Sequence, residues 1–372
     1  MRGNEHVTPW AGDTIDMETA VDAATPITTG PGRRADIELL RVIAILMVIT
    51  VHVTATSVVS ALDAGKGSAG AWLTLWANEA SRAGVPVFFA ITGWALLRRE
   101  TPGDARWLRR RLVRIIVPLV AWSCLYVLEQ IAVTGVDNRV PWEPDKRPEW
   151  LLLMVKHTLL GPGTHGHLWY LYIAIALTLA IWLVRYARPG LTTARGWYTG
   201  AALALILPFS IAEVAGVALG WASFGWAIGY AAIGFMLLES APHRRVGFLL
   251  FAAAATAMAV LTDHIGYDEW PTAYTSVLRV AAMTGVIWMA VRITLPARLR
   301  GPVVRLGGLT FGVYLVHPAL LDAVKVLMWA GLPLAGLGTG ARLGVAWLVS
   351  VVGSFAVVAL WQRSRLLTRI LG

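Results

Sequence analysis

Two ionisable side chains in the first long apolar segment have the types and the spacing to act together. Arg41 and His52 are eleven positions apart, which is close to three helical turns, so both fall on one helix face about 16 Å apart. A guanidinium binds anions, and a neutral imidazole can take a proton from a hydroxyl near pH 7. The pair indicates a bound molecule running between them. Separately, Arg41 could snorkel to lipid phosphate and His52 could bond a neighbouring helix.

A base usually has an orienting partner, and two carboxylates are candidates for His52. Glu79, in the second apolar segment, is predicted to lie at about the depth of His52 in the membrane. The alternative for Glu79 is an ion pair with the nearby Arg82 at the outer rim. Asp322 is the second candidate, at a similar predicted depth.

The segments that position these side chains need lipid as solvent. The chain has 372 residues, of which 57% are hydrophobic and only 15% charged, against about 25% charged in soluble domains. Each apolar run approaches the roughly 20 residues that cross a bilayer as a helix. We therefore predict an all-α integral membrane protein. Its ten predicted spans are 37–60, 73–97, 111–133, 167–187, 197–217, 220–239, 246–262, 274–294, 309–329 and 341–362.

Basic residues set the predicted orientation. The formal net charge is +10, but the arginines form clusters in every second loop, which is typical of cytoplasmic loops rather than of nucleic-acid binding. Both termini are therefore expected in the cytoplasm. Residues 1–35 are predicted to be a disordered cytoplasmic tail, 36–363 the membrane domain and 364–372 a short cytoplasmic tail. The Trp-rich segment 142–161 is predicted to be an interfacial helix or a re-entrant loop.

Metal chemistry has little support in the sequence. The single cysteine, Cys124, lies in an apolar run, so it allows no intrachain disulfide and no cysteine metal cluster. Four histidines, at positions 157, 165, 243 and 264, fall in loops or segment ends without metal-ligand spacing. We predict no metal.

Five stretches resemble, in the same order, the bacterial membrane acyltransferase-three family, which includes O-antigen acetylases, Nod-factor acetylases and the enterobacterial common antigen O-acetyltransferase. The family signature in the first span is Arg, ten residues, His, which Arg41 and His52 match. In the second span Thr92 replaces the family's Ser and keeps the hydroxyl. The resemblance covers residues 34–362, and the other four stretches are VPVFFAITGW, RRLVRIIVPLVAWS, HLWYL and GVYLVHP.

The resemblance implies a ten-helix acyltransferase fold, acetyl-CoA as the usual donor and His52 as the catalytic residue. It favours CoA binding by Arg41, Arg111 and Arg114, although the latter two also suit ordinary cytoplasmic charge. Further residues that it brings forward have packing or interfacial roles as alternatives. For the donor channel these are Phe88, Phe89, Thr92 and Gly93, and for the acceptor side they are His167, Trp169, Tyr314 and His317.

The predicted function is transfer of an acetyl or other short acyl group from cytosolic acyl-CoA to a hydroxyl of a cell-envelope glycan or another exported acceptor. His52 would act as general base, with an acyl-histidine intermediate as the alternative. The resemblance implies a bacterial cytoplasmic membrane, and a homo-oligomer is left open. The rival interpretation is a proton-coupled transporter of a glycan or lipid-linked substrate, which would need no acyl donor.

Overall fold

The computed structural model describes residues 34–63, 69–98, 105–136, 166–187, parts of 206–215, 225–266, 273–329 and 338–371. These parts of the chain contain helices and turns and no strand, so the all-α prediction is confirmed. A 3-10 turn, Gly166–Leu168, precedes α5. The helices are α1 Ala35–Asp63, α2 Ala69–Ser81, α3 Gly84–Leu97, α4 Ala105–Val136, α5 Trp169–Ala187, α6 Trp226–Glu239, α7 Arg244–Ile265, α8 Val277–Ala290, α9 Ala297–Trp329, α10 Thr339–Trp361 and α11 Arg365–Leu371.

Six stretches of helix are long and apolar enough to cross a membrane, and they lie in α1, α2 with α3, α4, α7, α9 and α10. The apolar helices α5, α6 and α8 are shorter. Large apolar side chains on several of these helices face outward, including Leu128, Leu249 and Leu360, as expected for contact with lipid. The protein is therefore a multi-pass membrane protein.

Nine of the ten predicted spans coincide with these helices. The remaining span, 197–217, falls largely outside the described residues, as do segment 142–161 and residues 1–33. The total of ten spans and the orientation of the termini stay predictions. The predicted tail 364–372 contains α11, where the Ile370 carbonyl accepts a hydrogen bond of 3.0 Å from the Trp122 indole N–H.

The second predicted span, 73–97, is divided into two helices. A turn at Arg82 and Ala83 separates α2 from α3. Pro86 explains the break, because proline has no N–H and its ring collides with the carbonyl four residues earlier, here that of Arg82. The break leaves Glu79 and Arg82 at a helix end inside the protein, where both are buried.

Helix α1 is the central element, packed against α2, α3, α9 and α10. The tightest support around it is the crossing of α3 and α6. A methyl group at Gly93 would collide with the backbone of Ala231, and one at Gly234 would collide with Ala90. Each helix thus contributes two small residues one turn apart, which allow the two backbones to touch. Such packing of small residues is common in membrane proteins. Gly93 thus has the packing contact that was the alternative to its predicted role in the donor channel.

Candidate active site

A partly enclosed cavity of about 190 Å³ lies among α1, α3, α5, α9 and the 3-10 turn. Arg41 and His52 both line it, so the predicted common helix face is real and faces an open space rather than lipid. The lining residues are Arg41, Val48, His52, Val85, Phe88, Ile91, Thr92, His167, Trp169, Tyr170, Thr310, Phe311 and Tyr314.

Arg41 forms an ion pair beside the cavity with Glu38, one turn earlier on α1. Their closest atoms, Arg41 Nη1 and Glu38 Oε2, are 3.7 Å apart. Glu38 is buried against α9 at Gly307, where a methyl group would collide with the carboxylate. The Arg41 side chain is about one third exposed. A guanidinium has five N–H donors, so this ion pair leaves Arg41 able to bind an anion as well.

Three histidines from three separate elements meet at the His52 position. The imidazole centroid of His52 is 5.2 Å from that of His317 on α9 and 6.4 Å from that of His167 in the 3-10 turn. His167 lines the cavity, whereas His317 is fully buried and does not. Among the described residues, no group of three or more His, Cys, Asp or Glu side chains is arranged to hold a metal ion. Imidazole takes up and releases protons near neutral pH, so three neighbouring histidines are suited to proton transfer.

Aromatic side chains form the wall opposite α1. The Tyr170 hydroxyl lies 3.5 Å from Thr92 Oγ1, and its ring is 4.7 Å from that of Phe89. Phe89 is fully buried behind this wall, while Phe88 reaches the cavity. The Tyr314 hydroxyl donates a hydrogen bond to the His167 carbonyl. This bond attaches the 3-10 turn that contains His167 to α9.

Of the two predicted CoA-binding arginines on α4, Arg111 is the closer to the cavity. Its Nε donates to Thr178 Oγ1 on α5 at 3.5 Å, and the charges of Arg111 and Arg41 both act on Tyr170. Arg114 is exposed. Neither arginine lines the cavity. The three cations therefore lie at different distances from it, with Arg41 on its wall.

Glu79 occupies a different polar site from the one predicted. It is fully buried, bonded to Arg279 on α8 by a 2.8 Å ion pair, and lies 3.6 Å from Arg82. Arg279 Nη1 also donates to the Glu79 backbone carbonyl at 2.7 Å. Glu79 is not among the cavity-lining residues, and Asp322 is bonded to Lys325. The structure thus supports the pairing of Glu79 with Arg82, but both are buried rather than at an exposed rim. It also adds Arg279, a charge inside a predicted span that sequence reasoning did not use.

Sequence reasoning also missed several residues with direct positions in the site. Thr310 and Phe311 line the cavity from α9, and the Tyr126 ring is 5.0 Å from that of His167. The sequence signal for Thr310 and Phe311 is that they precede the quoted motif GVYLVHP by two positions and by one, respectively. The helix contacts that bring Tyr126 to His167 have no sequence pattern of their own.

Comparison with known proteins agrees with this geometry. A family model described as an acyltransferase domain, acyltransferase-3, matches residues 34–361. Comparison with curated proteins and with solved structures gives no significant match. The family match covers nearly the whole of the described chain and decides between the enzyme and the transporter. The chain belongs to the acyltransferase-3 family, and the protein is an acyltransferase.

Proposed function

We propose that the protein moves an acetyl or other short acyl group from acyl-CoA to a hydroxyl of a cell-envelope glycan or another exported acceptor. The observation that carries the proposal is that Arg41 and His52, about three turns apart on α1, line one cavity. An anion-binding group at one end and a base at the other suit a donor whose phosphates and reacting thioester lie far apart.

Cationic side chains support the donor assignment. Phosphates bind arginine through paired, charge-assisted hydrogen bonds. Arg41 would hold the donor at the cavity, and Arg111 and Arg114 would hold its phosphates nearer the start of α4. The small cavity between them, about 190 Å³, suits the pantetheine arm and a short acyl group. The donor would come from the cytoplasm, in keeping with the predicted location of these arginines.

At the other end of the cavity, His52 would act as the general base. One ring nitrogen takes the proton of the acceptor hydroxyl while its oxygen attacks the thioester carbonyl carbon. The carbon–sulfur bond then breaks, and the leaving thiolate takes the proton back from the imidazolium. An imidazole has a suitable proton affinity for both steps near pH 7. The alternative is an acyl-histidine intermediate, which a radiolabelled acyl group trapped on His52 would establish.

Aromatic and polar groups around His52 support an alcohol acceptor. Trp169 and Tyr170 offer flat apolar faces beside the cavity, and His167 and Tyr314 line the same cavity as His52. Such a mixture suits a sugar ring, which has apolar faces and hydroxyl edges. In this arrangement His167, Trp169 and Tyr314 would contact the acceptor, and Phe88 and Thr92 would contact the donor arm.

The test is CoA release from acetyl-CoA by the purified protein in detergent, with a crude envelope extract as acceptor. We expect release that requires the extract and falls by about 10²- to 10⁴-fold in His52→Ala, the usual contribution of a general base. His264→Ala is the matched control, because His264 is an exposed histidine on α7. Equal release by wild type and His52→Ala would refute the role of His52. No turnover with acetyl-CoA or longer acyl-CoAs would refute the donor.

A further inference from the structure

His317 is a buried ionisable group for which the reaction above has no role. It lies on α9 directly before Pro318, and its side chain has 0% exposure. Its ring is the nearer of the two histidine rings around His52, at 5.2 Å against 6.4 Å for His167. Because His317 does not line the cavity, it approaches His52 from within the protein.

The protonation state of His317 follows from its backbone contact. Its Nδ1 lies 3.1 Å from the carbonyl oxygen of Val313, one turn earlier on α9. A carbonyl oxygen can only accept a hydrogen bond, so Nδ1 carries the proton. Neutral His317 then has its lone pair on Nε2, which makes that nitrogen an acceptor.

We infer that His317 is the positioning residue for His52. A centroid separation of 5.2 Å allows one hydrogen bond between a nitrogen of each ring. Rotation of the His52 ring brings its N–H to the buried Nε2 of His317, and the other nitrogen of His52 is then held as a lone pair toward the cavity. This inference rests on the proposed function and gives His317 the orienting role first predicted for Glu79, which is bonded to Arg279 instead.

The proton balance places a single mobile proton on His52. When His52 takes the acceptor proton, the positive charge is shared through its N–H to His317 Nε2, and His317 neither gains nor loses a proton. The backbone carbonyl of Val313 ends the chain, much as a carboxylate does in other catalytic triads. A neutral acceptor stabilises the imidazolium less than a carboxylate would, so the expected contribution is smaller.

Other ionisable groups also face this pair, and the test must separate them from His317. His167 is 5.8 Å from His317 and Tyr314 is 6.1 Å away, both by ring centroids. Arg41 lies three turns earlier on the same helix as His52. The remaining groups are Tyr126 on α4 and the carboxylates that act on it, Glu129 and Asp322.

The first experiment follows the titration of His52 by NMR of the ¹⁵N-histidine-labelled protein in detergent, with His52→Gln used to assign the signal. His317→Phe keeps the ring volume and removes the acceptor, so we expect the His52 midpoint to move to lower pH. His317→Gln restores an acceptor oxygen near the Nε2 position and is expected to restore the midpoint. His264→Phe is the matched control, because His264 Nδ1 contacts the carbonyl four residues earlier in the same way, at 2.7 Å, but is exposed.

The second experiment measures kcat and KM for acyl-CoA across pH. We expect His317→Phe to lower kcat by about 100-fold with KM unchanged, less than the roughly 10⁴-fold seen when a triad carboxylate is altered, and His317→Gln to recover most of it. An unmoved His52 midpoint and pH profile in His317→Phe would overturn the inference. If the wild type releases no CoA but the midpoint moves, the pairing stands and the acyl-transfer proposal fails.

Discussion

Two sites with ionisable side chains inside predicted spans look alike in sequence and differ in what these side chains face. Around His52, ionisable side chains border a cavity, and Arg41 keeps about one third of its side chain exposed. Around Glu79, the carboxylate and Arg279 are both fully buried and bonded to each other. The first site leaves hydrogen-bonding capacity for a ligand, whereas the second uses its capacity to join α2 to α8.

The difference qualifies a common rule. Charges inside membrane spans are costly and mark functional sites by default. The His52 site fits this rule. The Glu79 site fits it only if joining two helices is counted as a function. Facing a cavity, rather than being buried, is what separates a candidate for chemistry from a structural ion pair.

The largest effect that would sharpen this comparison comes from Arg279→Met. It leaves the Glu79 carboxylate buried beside Arg82 alone, and we expect the free energy of unfolding to fall by about 3–5 kcal/mol. Chemical denaturation in detergent measures the loss. The double variant Glu79→Gln with Arg279→Met should recover part of it. A loss of less than about 1 kcal/mol for the single variant would contradict a structural role for the pair.

Glu79→Gln tests whether the same site contributes to catalysis. We expect it to lower stability while leaving the pH dependence of turnover unchanged, because Glu79 is bonded to Arg279 and does not line the cavity. The pH–rate profile of the purified protein is the measurement. A profile displaced along the pH axis would restore Glu79 as the partner of His52.

Arg41→Gln should give the opposite result from Arg279→Met. A charge-assisted bond to the donor is worth about 1.5–3 kcal/mol, so we expect KM for acyl-CoA to rise by roughly 10- to 150-fold. Stability should fall by less than in Arg279→Met, because Arg41 is about one third exposed, although its partner Glu38 is buried. Initial rates at varied acyl-CoA give KM. The control is Arg298→Gln, at an exposed position on α9, and an equal rise there would point to general charge instead.

Tyr314→Phe should have the smallest effect. It removes the hydroxyl that donates to the His167 carbonyl, and one such bond contributes about 1 kcal/mol. We expect a loss of that size in the free energy of unfolding, with a several-fold lower kcat if the turn carrying His167 shifts. Unfolding and turnover are measured on the same preparation. A loss of stability as large as that of Arg279→Met would remove the contrast between the two sites.

Much of the site follows from the sequence because helical geometry is local. The distance between Arg41 and His52 along α1 is fixed by the rise of the helix, and their common face needs no knowledge of neighbouring helices. The hydrophobic segments could also be predicted from the sequence, since transfer from water to lipid depends on composition over about 20 residues.

The features that could not be predicted from the sequence depend on which helices are neighbours. Glu79 could be placed at a depth but not beside Arg279, about 200 positions later. His317 was predicted near the acceptor, yet its side chain is buried behind the cavity lining. The turn at Arg82 has a local cause in Pro86. The span was nevertheless predicted as one helix, because hydropathy averaged over a window does not register a single proline.

The contact between Gly93 and Ala231 has a consequence for motion. The proposed donor, acyl-CoA, is bulky, so its entry and the exit of CoA would require one wall of the cavity to move. Helices α3 and α6 touch through their backbones at Gly93 and Gly234, and sliding them apart would lose contacts along both helices. We therefore expect the α3–α6 pair to stay fixed through the catalytic cycle while other walls of the cavity move.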